Sequence, residues 1–566
     1  MKKRWKVNQA DRGLQEALGA KLNILPVTAQ LLINRGLVDC DKAFSFLTPD
    51  LKDLHDPFLM AGMERAAARI SEAIRGAQKI AVYGDYDVDG TTSTALLNLF
   101  FKELGVDTVC YIPDRHKEGY GLNCEAVRKL AAQGVRLIIT VDCGSSNHEE
   151  IALANALGMD VIVTDHHELP SGPPPAYCVI NPKQRGCNFP FKGLAGVGVA
   201  FNLAMAVRAL LRKEGWFTRA EPNLKKYLDL VAIGTVADMV PLLDENRVLV
   251  SYGLKELDST RRPGLIALKE AAGIKPGKVD SDNIAYNIAP RINAAGRVAS
   301  AGTALRLLTT DDAAAARALA AALDRENLSR QKLEEEILKE AVEMYGAHAS
   351  GRGIVLSRDG WHSGVIGIVA SRLAERFSRP VVLIAVDGNV GKGSARGIKS
   401  YNILEGIINC ADLLERYGGH KAAAGLTLHR DNIEEFKEAF LRHVNGTLSD
   451  DDLVPEITLD AQVSLAEVDL RMVAEIGSLA PFGVANREPL LCCTDAHIIG
   501  TEVVKSRHLR FKLKHNECAR SGIGFGLAGL HPMEGGGYSI AFSPYLDEWK
   551  GVKNMGLRIK DCRQGT

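Results

Sequence analysis

The sequence has no C-x-x-C pair among its eleven cysteines and no run of about 18 uncharged apolar residues. The first absence argues against a zinc site or a disulfide framework; even Cys492 and Cys493 are simply adjacent, and the thiols read as reduced core or incidental groups. The second argues against a membrane-spanning helix. The amino terminus, MKKRWKVNQADRG, is charged and has no apolar segment of the kind a secretory signal needs, so a cytoplasmic protein is expected. Neither sign of charge is in excess, with 69 Lys+Arg against 69 Asp+Glu. Any nucleic-acid partner must then be held by local basic patches, not by a global positive field. The stretch GVGVAF at 196–201 lacks the last glycine of a dinucleotide fingerprint and follows no clear strand, which argues against a nucleotide cofactor there. At 566 residues the chain is too long for one hydrophobic core, and several domains are expected.

What is there begins with YGDYDVDG at 83–90, three aspartates at alternate positions closed by a glycine. Asp85, Asp87, Asp89 and Gly90 match positions one, three, five and six of a helix-loop-helix calcium loop. Position twelve, however, is Leu96 where that loop needs a bidentate Glu, and the preceding KIAVY reads as a buried strand and not a helix. Three carboxylates crowded at a strand end repel one another unless a cation or a basic partner offsets them. A hard-metal site is the working expectation.

From about 79 to 180, strand-like runs (KIAVYG, TVCYIP, RLIITVDCG, VIVTDHH) alternate with helical ones, which predicts a parallel sheet covered by helices. Ligands of such sheets gather at the carboxyl ends of the strands. Those ends carry Asp85, Asp87 and Asp89, then Asp142, then Asp165, His166 and His167. Asp238 is a single carboxylate in the apolar stretch LVAIGTVADMVPLL and by itself reads first as a turn or cap residue, its claim to a site resting on the other acids.

Residues 311–346 contain no Pro and no Gly before Gly346, and predict one long helix capped by Asp311 or Asp312, on the order of 50 Å in length and suited to connect domains. A second α/β pattern fills 347–448. Its glycine clusters, GKGSARG and YGGH, are expected between strands and helices, where backbone amides could cradle a phosphate beside Arg396, His420 and Lys421; a helix-entry turn at Gly418 and Gly419 is the alternative. From 449 to 566 the pattern is strand-rich. In HLRFKLK, alternation puts Arg510, Lys512 and Lys514 on one face and Leu509, Phe511 and Leu513 on the other. That suits either a small β-barrel that binds single strands or an edge strand protected by lysines. Residues 1–60 carry no recognisable chemistry, and 61–310 remain for the domain bearing the aspartates.

Eight motifs, in order, carry a family resemblance: YGDYDVDG, RHKEGYGLN, VDCGSSN, VTDHHE, TVADMVPL, APRINAAGR, WHSGVIGIVASRL and GGHKAAAGL. They resemble the DHH phosphoesterases, and within them the RecJ family of single-strand-specific exonucleases. The resemblance implies an α/β multidomain protein: a parallel-sheet DHH domain, a connecting helix, a DHHA1 domain and a C-terminal OB-fold. It implies two divalent ions, Mn²⁺ or Mg²⁺, held by Asp87, Asp89, Asp142, His166 and Asp238, with Asp85 and His167 close by. Many DHH enzymes have a His where this chain has Tyr83, which makes Asp85 a candidate substitute ligand. Strand-gripping roles are implied for Arg115, Arg291, Asn293, Arg297, His362, Ser394, Arg396, Gly418, Gly419 and His420, with Arg510, Lys512 and Lys514 further along. The implied activity is 5′→3′ hydrolysis of single-stranded DNA to 5′-mononucleotides in repair and recombination. Single-strand-binding protein and a helicase are implied partners, and a monomer the implied state.

The chemistry agrees, since hard oxygen ligands with a few imidazoles suit Mg²⁺ or Mn²⁺, and two such ions about 3.5–4 Å apart promote phosphodiester hydrolysis. Asp142, on the strand expected between the other two motif strands, is the candidate bridging ligand. Two rival readings are a DHH-family hydrolase of nanoRNA or small nucleotides, which predicts a shorter chain without a basic barrel, and a non-catalytic replication scaffold, which predicts loss of the metal acids.

Overall fold

A computed structural model describes residues 3–114, 118–170, 172–218, 220–277, 279–298, 302–347, 351–549 and 552–565. The chain forms two compact units: Lys6–Asn293 with Ala301–Ala320 and Thr458–Thr566, and Met1–Trp5 with Ala294–Ser300 and Ala321–Ile457.

The first unit opens with three helices, α1 (Arg12–Leu22), α2 (Pro26–Asn34) and α3 (Cys40–Leu47). Then comes a sheet of β1 (Lys79–Gly84), β2 (Thr108–Tyr111), β3 (Val135–Val141), β4 (Asp160–Thr164) and β5 (Cys178–Ile180). All its pairings are parallel, in the order β2-β1-β3-β4-β5. The Ile/Val/Ala runs of β1, β3 and β4 are buried almost throughout, as strands covered on both faces must be. β3 lies between β1 and β4, so Asp142 follows the strand flanked by those carrying the other two motifs. The three-residue strand β5 was not among the strand-like runs of the sequence.

Helices α4 (Val88–Glu103), α5 (Gly196–Lys213), α6 (Leu228–Ala237) and α7 (Asp244–Asp258) pack together beside this sheet. The long helix α8 (Ala313–Ala347) starts two residues after Asp311, and Asp312 caps it by accepting from the Ala314 amide at 2.7 Å.

In the second unit, β6 (Ile354–Asp359), β7 (Val381–Asp387), β8 (Val390–Arg396), β9 (Arg416–His420) and β10 (Ala423–His429) form a sheet in the order β9-β10-β8-β7-β6. The glycine clusters here depart from expectation. GKGSAR is strand β8 and RYGGH is the edge strand β9, so neither is a phosphate-cradling turn nor a helix entry. Small residues are used on these strands for close sheet packing: Gly391 and Gly393 each meet side chains of the neighbouring strands, Ile384 and Leu428 for one and Leu426 for the other.

Returning to the first unit, helix α9 (Leu470–Ser478) lies between the first two strands of a barrel made of β11 (Ala461–Gln462), β12 (Leu491–Val504), β13 (His508–His515), β14 (Cys518–Gly524), β15 (Gly535–Trp549) and β16 (Val552–Gln564). The order β11-β12-β13-β14-β16-β15, with β12 also pairing β15, closes five strands on themselves. β13 pairs on both sides and is not an edge strand, so edge protection does not explain its lysines. Leu509, Phe511 and Leu513 are buried while Arg510, Lys512 and Lys514 face out, as the alternation requires. The amino-terminal helices share one apolar core with the barrel, through Leu18, Ala29, Leu31, Leu32, Ala43 and Phe46. Among the described residues no helix is long and apolar enough to cross a membrane.

Candidate metal centre

The carboxyl ends of β1, β3 and β4 bring the motif acids and histidines together. After β1 the chain turns through Asp85 and Asp87 into α4, whose N-cap is Asp87, accepting from the Gly90 amide at 3.1 Å. The turn is so tight that a Cβ at Gly90 would lie 2.5 Å from the Asp85 backbone, which explains the glycine that closes the motif. Asp142 follows β3 with φ of 61°, a left-handed conformation uncommon outside glycine and a mark of functional sites. His166 and His167 follow β4, and Asp238 is the C-cap of α6.

Three overlapping groups result, each able to hold an ion: Asp85, Asp87 and Asp142; Asp89, His166 and Asp238; and Asp142, His166 and His167. Asp142 and His166 each belong to two of them. His166 Nε2 lies 3.1 Å from Asp142 Oδ1, 3.5 Å from Asp238 Oδ2 and 3.8 Å from Asp89 Oδ2. Those Nε2, Asp142 Oδ1 and Asp238 Oδ2 atoms are buried with no hydrogen-bond partner among the described residues. Buried polar atoms are nearly always satisfied, so three that converge unpaired fit a cation among them. The donor set, carboxylate oxygens with imidazole nitrogen, is that of Mn²⁺ or Mg²⁺.

The electrostatics agree. Burial first, then neighbouring Asp87, pushes Asp89 up to about 7. Burial followed by the Asp89 charge lifts Asp142 well above the carboxylate range, and the same causes lift Asp238 to about 9. These acids cannot all ionise at neutral pH without positive charge between them. Burial and the neighbouring His167 hold His166 down at about 4, so its ring is neutral and its Nε2 lone pair available.

The supports come from residues that carry no ligand signature. The amides of Gly196 and Val197, at the start of α5, donate to the two Asp89 oxygens at 2.6 and 2.8 Å. A helix amino end favours an anion, and a Cβ at Gly196 would meet the carboxylates of Asp142 and Asp89 within 3.0 Å. GVGVAF, which fails as a dinucleotide fingerprint, thus serves an aspartate. Asp165, the D of DHH, is occupied by hydrogen bonds to its neighbours. It accepts from the amides of His166, His167 and Ser145 and from His167 Nδ1, the last at 2.8 Å. Burial opposes its ionisation, but these donors outweigh it and hold Asp165 below the carboxylate range. Burial pulls His167 down, and the Asp165 contact more than offsets this, so its pKa is raised. Tyr120 donates to the Asp142 carbonyl oxygen at 3.1 Å and lies 3.2 Å from His167 Nδ1. Tyr83 is turned into the core: its hydroxyl donates to the Gly121 carbonyl at 3.0 Å and its ring stacks on Tyr111.

The residues expected to grip the strand are not members of these three groups. Arg115 and the side chain of Arg297 lie outside the described residues. Arg291 donates to the carbonyls of Asn287 and Ala271, and Asn293 is half-buried on the same helix, Ala289–Val298. In the second unit, Arg396 donates to Ser371 Oγ at 2.9 Å and Ser394 Oγ at 3.1 Å and lines a cavity of about 710 Å³ with Ser371, Lys399 and Ser400. His362 Nδ1 accepts from the Gly364 amide, and Gly418, Gly419 and His420 are exposed on β9. On the barrel, Arg510 is paired with Glu502 at 2.8 Å and Lys514 approaches Glu517 at 3.9 Å.

Residues 79–235 match the DHH family N-terminal domain, 350–446 the DHHA1 domain and 459–561 the RecJ OB domain. The chain is 38% identical over 568 residues to the single-stranded-DNA-specific exonuclease RecJ of Bacillus subtilis (strain 168), spanning 99% of this chain and 71% of that one. It is 37% identical over 569 residues to RecJ of Escherichia coli (strain K12), 97% of each. Among solved structures, RecJ of Thermus thermophilus in complex with Mn²⁺ superposes with a TM-score of 0.86 at 34% identity, over 100% of this chain and 80% of that one. An exonuclease RecJ bound to manganese gives 0.60 at 40% identity, over 69% and 96%. With matches to the DHH, DHHA1 and RecJ OB domains and likeness to RecJ proteins along nearly its whole length, the chain belongs to the RecJ family of single-stranded-DNA-specific exonucleases.

Proposed function

We propose that this protein hydrolyses single-stranded DNA from the 5′ end, releasing 5′-mononucleotides, with two divalent ions, Mn²⁺ or Mg²⁺, at the β1/β3/β4 edge. The observation that carries the reading is the set of unpaired buried atoms on Asp142, His166 and Asp238, which converge within 3.5 Å of the imidazole nitrogen. Asp85, Asp87, Asp89, Asp142, His166 and Asp238 would hold the ions. When bound, these supply Lewis acidity and an activated water for phosphodiester cleavage. Neutral His166 offers a nitrogen without adding positive charge, and Asp165 holds the His167 ring in one orientation at the rim. There the raised pKa of His167 suits a proton held near the leaving oxygen.

Ser394 and Arg396, with His420 on the exposed strand β9, are read as the grip on the terminal phosphate, a role suited to a guanidinium already oriented by two hydroxyls. Lys512 and its neighbours on β13 would track the strand backbone. The same reading makes the protein a cytoplasmic monomer that meets single-strand-binding protein and a helicase.

The test is a time course with Mn²⁺ on single-stranded DNA labelled at the 5′ or the 3′ end, with a duplex control and a chelator. Immediate mononucleotide release from the 5′ label alone is expected. Long strands that survive while di- and trinucleotides vanish would replace it with a small-substrate hydrolase.

A further inference from the structure

The first turn of α7 holds three consecutive side chains that are almost fully buried although polar: Glu245, Asn246 and Arg247, 1%, 0% and 2% exposed. A helix start that polar is ordinarily solvated, so each must have found partners in the interior. Asn246 Nδ2 donates to two carbonyls, Gly193 at 2.6 Å and Pro241 at 3.0 Å. Pro241 lies three residues beyond Asp238. Gly193 precedes Leu194, whose backbone takes the ring hydrogen bond of His166, and lies three residues before Gly196, whose amide holds Asp89. One amide group therefore ties the loop leaving Asp238 to the loop that supports His166 and Asp89.

Arg247 extends the tie. It has no carboxylate partner among the described residues; its donors go to the carbonyls of Phe46 at 2.7 Å, Leu479 at 2.8 Å and Ser478 at 3.0 Å, and its guanidinium lies 3.7 Å from the Phe46 ring centre. Those carbonyls end α3 and α9, where a cation is favoured. The Leu242 amide adds a bond to the Val484 carbonyl at 2.9 Å. The far end of the Asp238 loop is thus anchored on the amino-terminal helices and the barrel domain.

We propose that Asn246, and one link further out Arg247, are positioning residues of the metal centre, setting the separation of Asp238 from His166 and Asp89 and making the amino-terminal segment and barrel domain part of its scaffold. The inference rests on the metal-dependent reading above. Neither residue touches the ion or the substrate; both act through carbonyls of the loops that carry or support the ligands.

The test is direct Mn²⁺ binding to the full chain, followed by the electron paramagnetic resonance of free Mn²⁺, alongside thermal midpoints. Asn246→Leu keeps the branched outline of the side chain and removes both donated bonds, Asn246→Asp removes at least one, and both should weaken Mn²⁺ binding on the order of tenfold or more, as loss of outer supports does at metal sites. Arg247→Lys, a milder change that keeps the charge, should weaken it less, by about threefold, and decides the matter if the Asn246 variants do not fold. Asn98→Leu, which removes a half-buried bond to Thr108 elsewhere in the same domain, should lower the midpoint and leave Mn²⁺ affinity alone. Wild-type affinity in folded Asn246 and Arg247 variants would overturn the proposal. So would an equal loss of affinity in Asn98→Leu, because affinity would then only follow stability. If the wild type itself binds no Mn²⁺, the metal-dependent reading fails first and the positioning role with it.

Discussion

The metal edge of the parallel sheet and the outer face of β13 are both dense in charge, yet physically opposite. At the sheet edge Asp89, Asp142 and His166 are buried, and unpaired atoms of Asp142 and His166 face one another. On β13 the cations are exposed, and Arg510 already has Glu502 beside it. An exposed pair of this kind contributes little and demands nothing, whereas buried like charges are unfavourable until something of opposite sign arrives. The first arrangement specifies a ligand; the second only permits one.

The sharpest way to break this contrast is Asp142→Ala. It removes the carboxylate common to two of the three groups and should lower turnover on the order of a thousandfold or more while strand binding stays measurable. Near-normal turnover would end the bridging role.

Next in size is a stability effect with a definite sign. Asp89 at about 7 and Asp238 at about 9 bind protons in the folded, metal-free protein more tightly than in the unfolded chain, where carboxylates titrate near ~4. Between those values the native state holds more protons, so the metal-free thermal midpoint should fall as pH rises from about 5 to 8. Mn²⁺ at about a hundred times its dissociation constant should restore about 2.7 kcal/mol, most visibly at the higher pH. A metal-free midpoint that climbs with pH would contradict the buried-acid account.

A third, smaller effect concerns the grip. Arg396→Lys keeps a charge but loses the planar fork oriented by Ser371 and Ser394, and should raise KM about tenfold with little change in kcat. Equal losses in both constants would instead place Arg396 at the reacting phosphate.

The smallest effect is expected on the barrel. Neutralising Arg510, Lys512 and Lys514 together should weaken strand binding and lower its salt slope by roughly 0.7 for each phosphate that no longer meets a cation. Since Arg510 and Lys514 have acidic neighbours, Lys512 should account for most of it. An unchanged slope would leave β13 without a role in binding.

Where the sequence was legible, the determining interactions were local. Short apolar runs marked β1 to β4, strict alternation marked the two faces of β13, and the absence of helix breakers marked α8. The acids were legible because they cluster within a few residues of strand ends, where a parallel sheet must present them. GKGSARG and RYGGH misled for a related reason: glycine signals turns by its own conformational freedom, but here it is small because sheet neighbours crowd it. Nothing in GVGVAF announces two amides aimed at Asp89, since backbone donors have no sequence signature. ENR at 245–247 looks like an ordinary polar helix start and is fully interior.

The sequence by itself determined β1 to β4, the long helix and the identity of the charged groups at each strand end, because periodicity and short-range spacing encode them. Only the tertiary structure decided that Asp165 is occupied by hydrogen bonds to its neighbours while Asp142 sits where two groups meet, that Tyr83 is turned away, and that the amino-terminal helices complete the core of a barrel built from the far end of the chain. Those outcomes depend on which buried groups meet across long separations, and on the cost of leaving any of them unpaired.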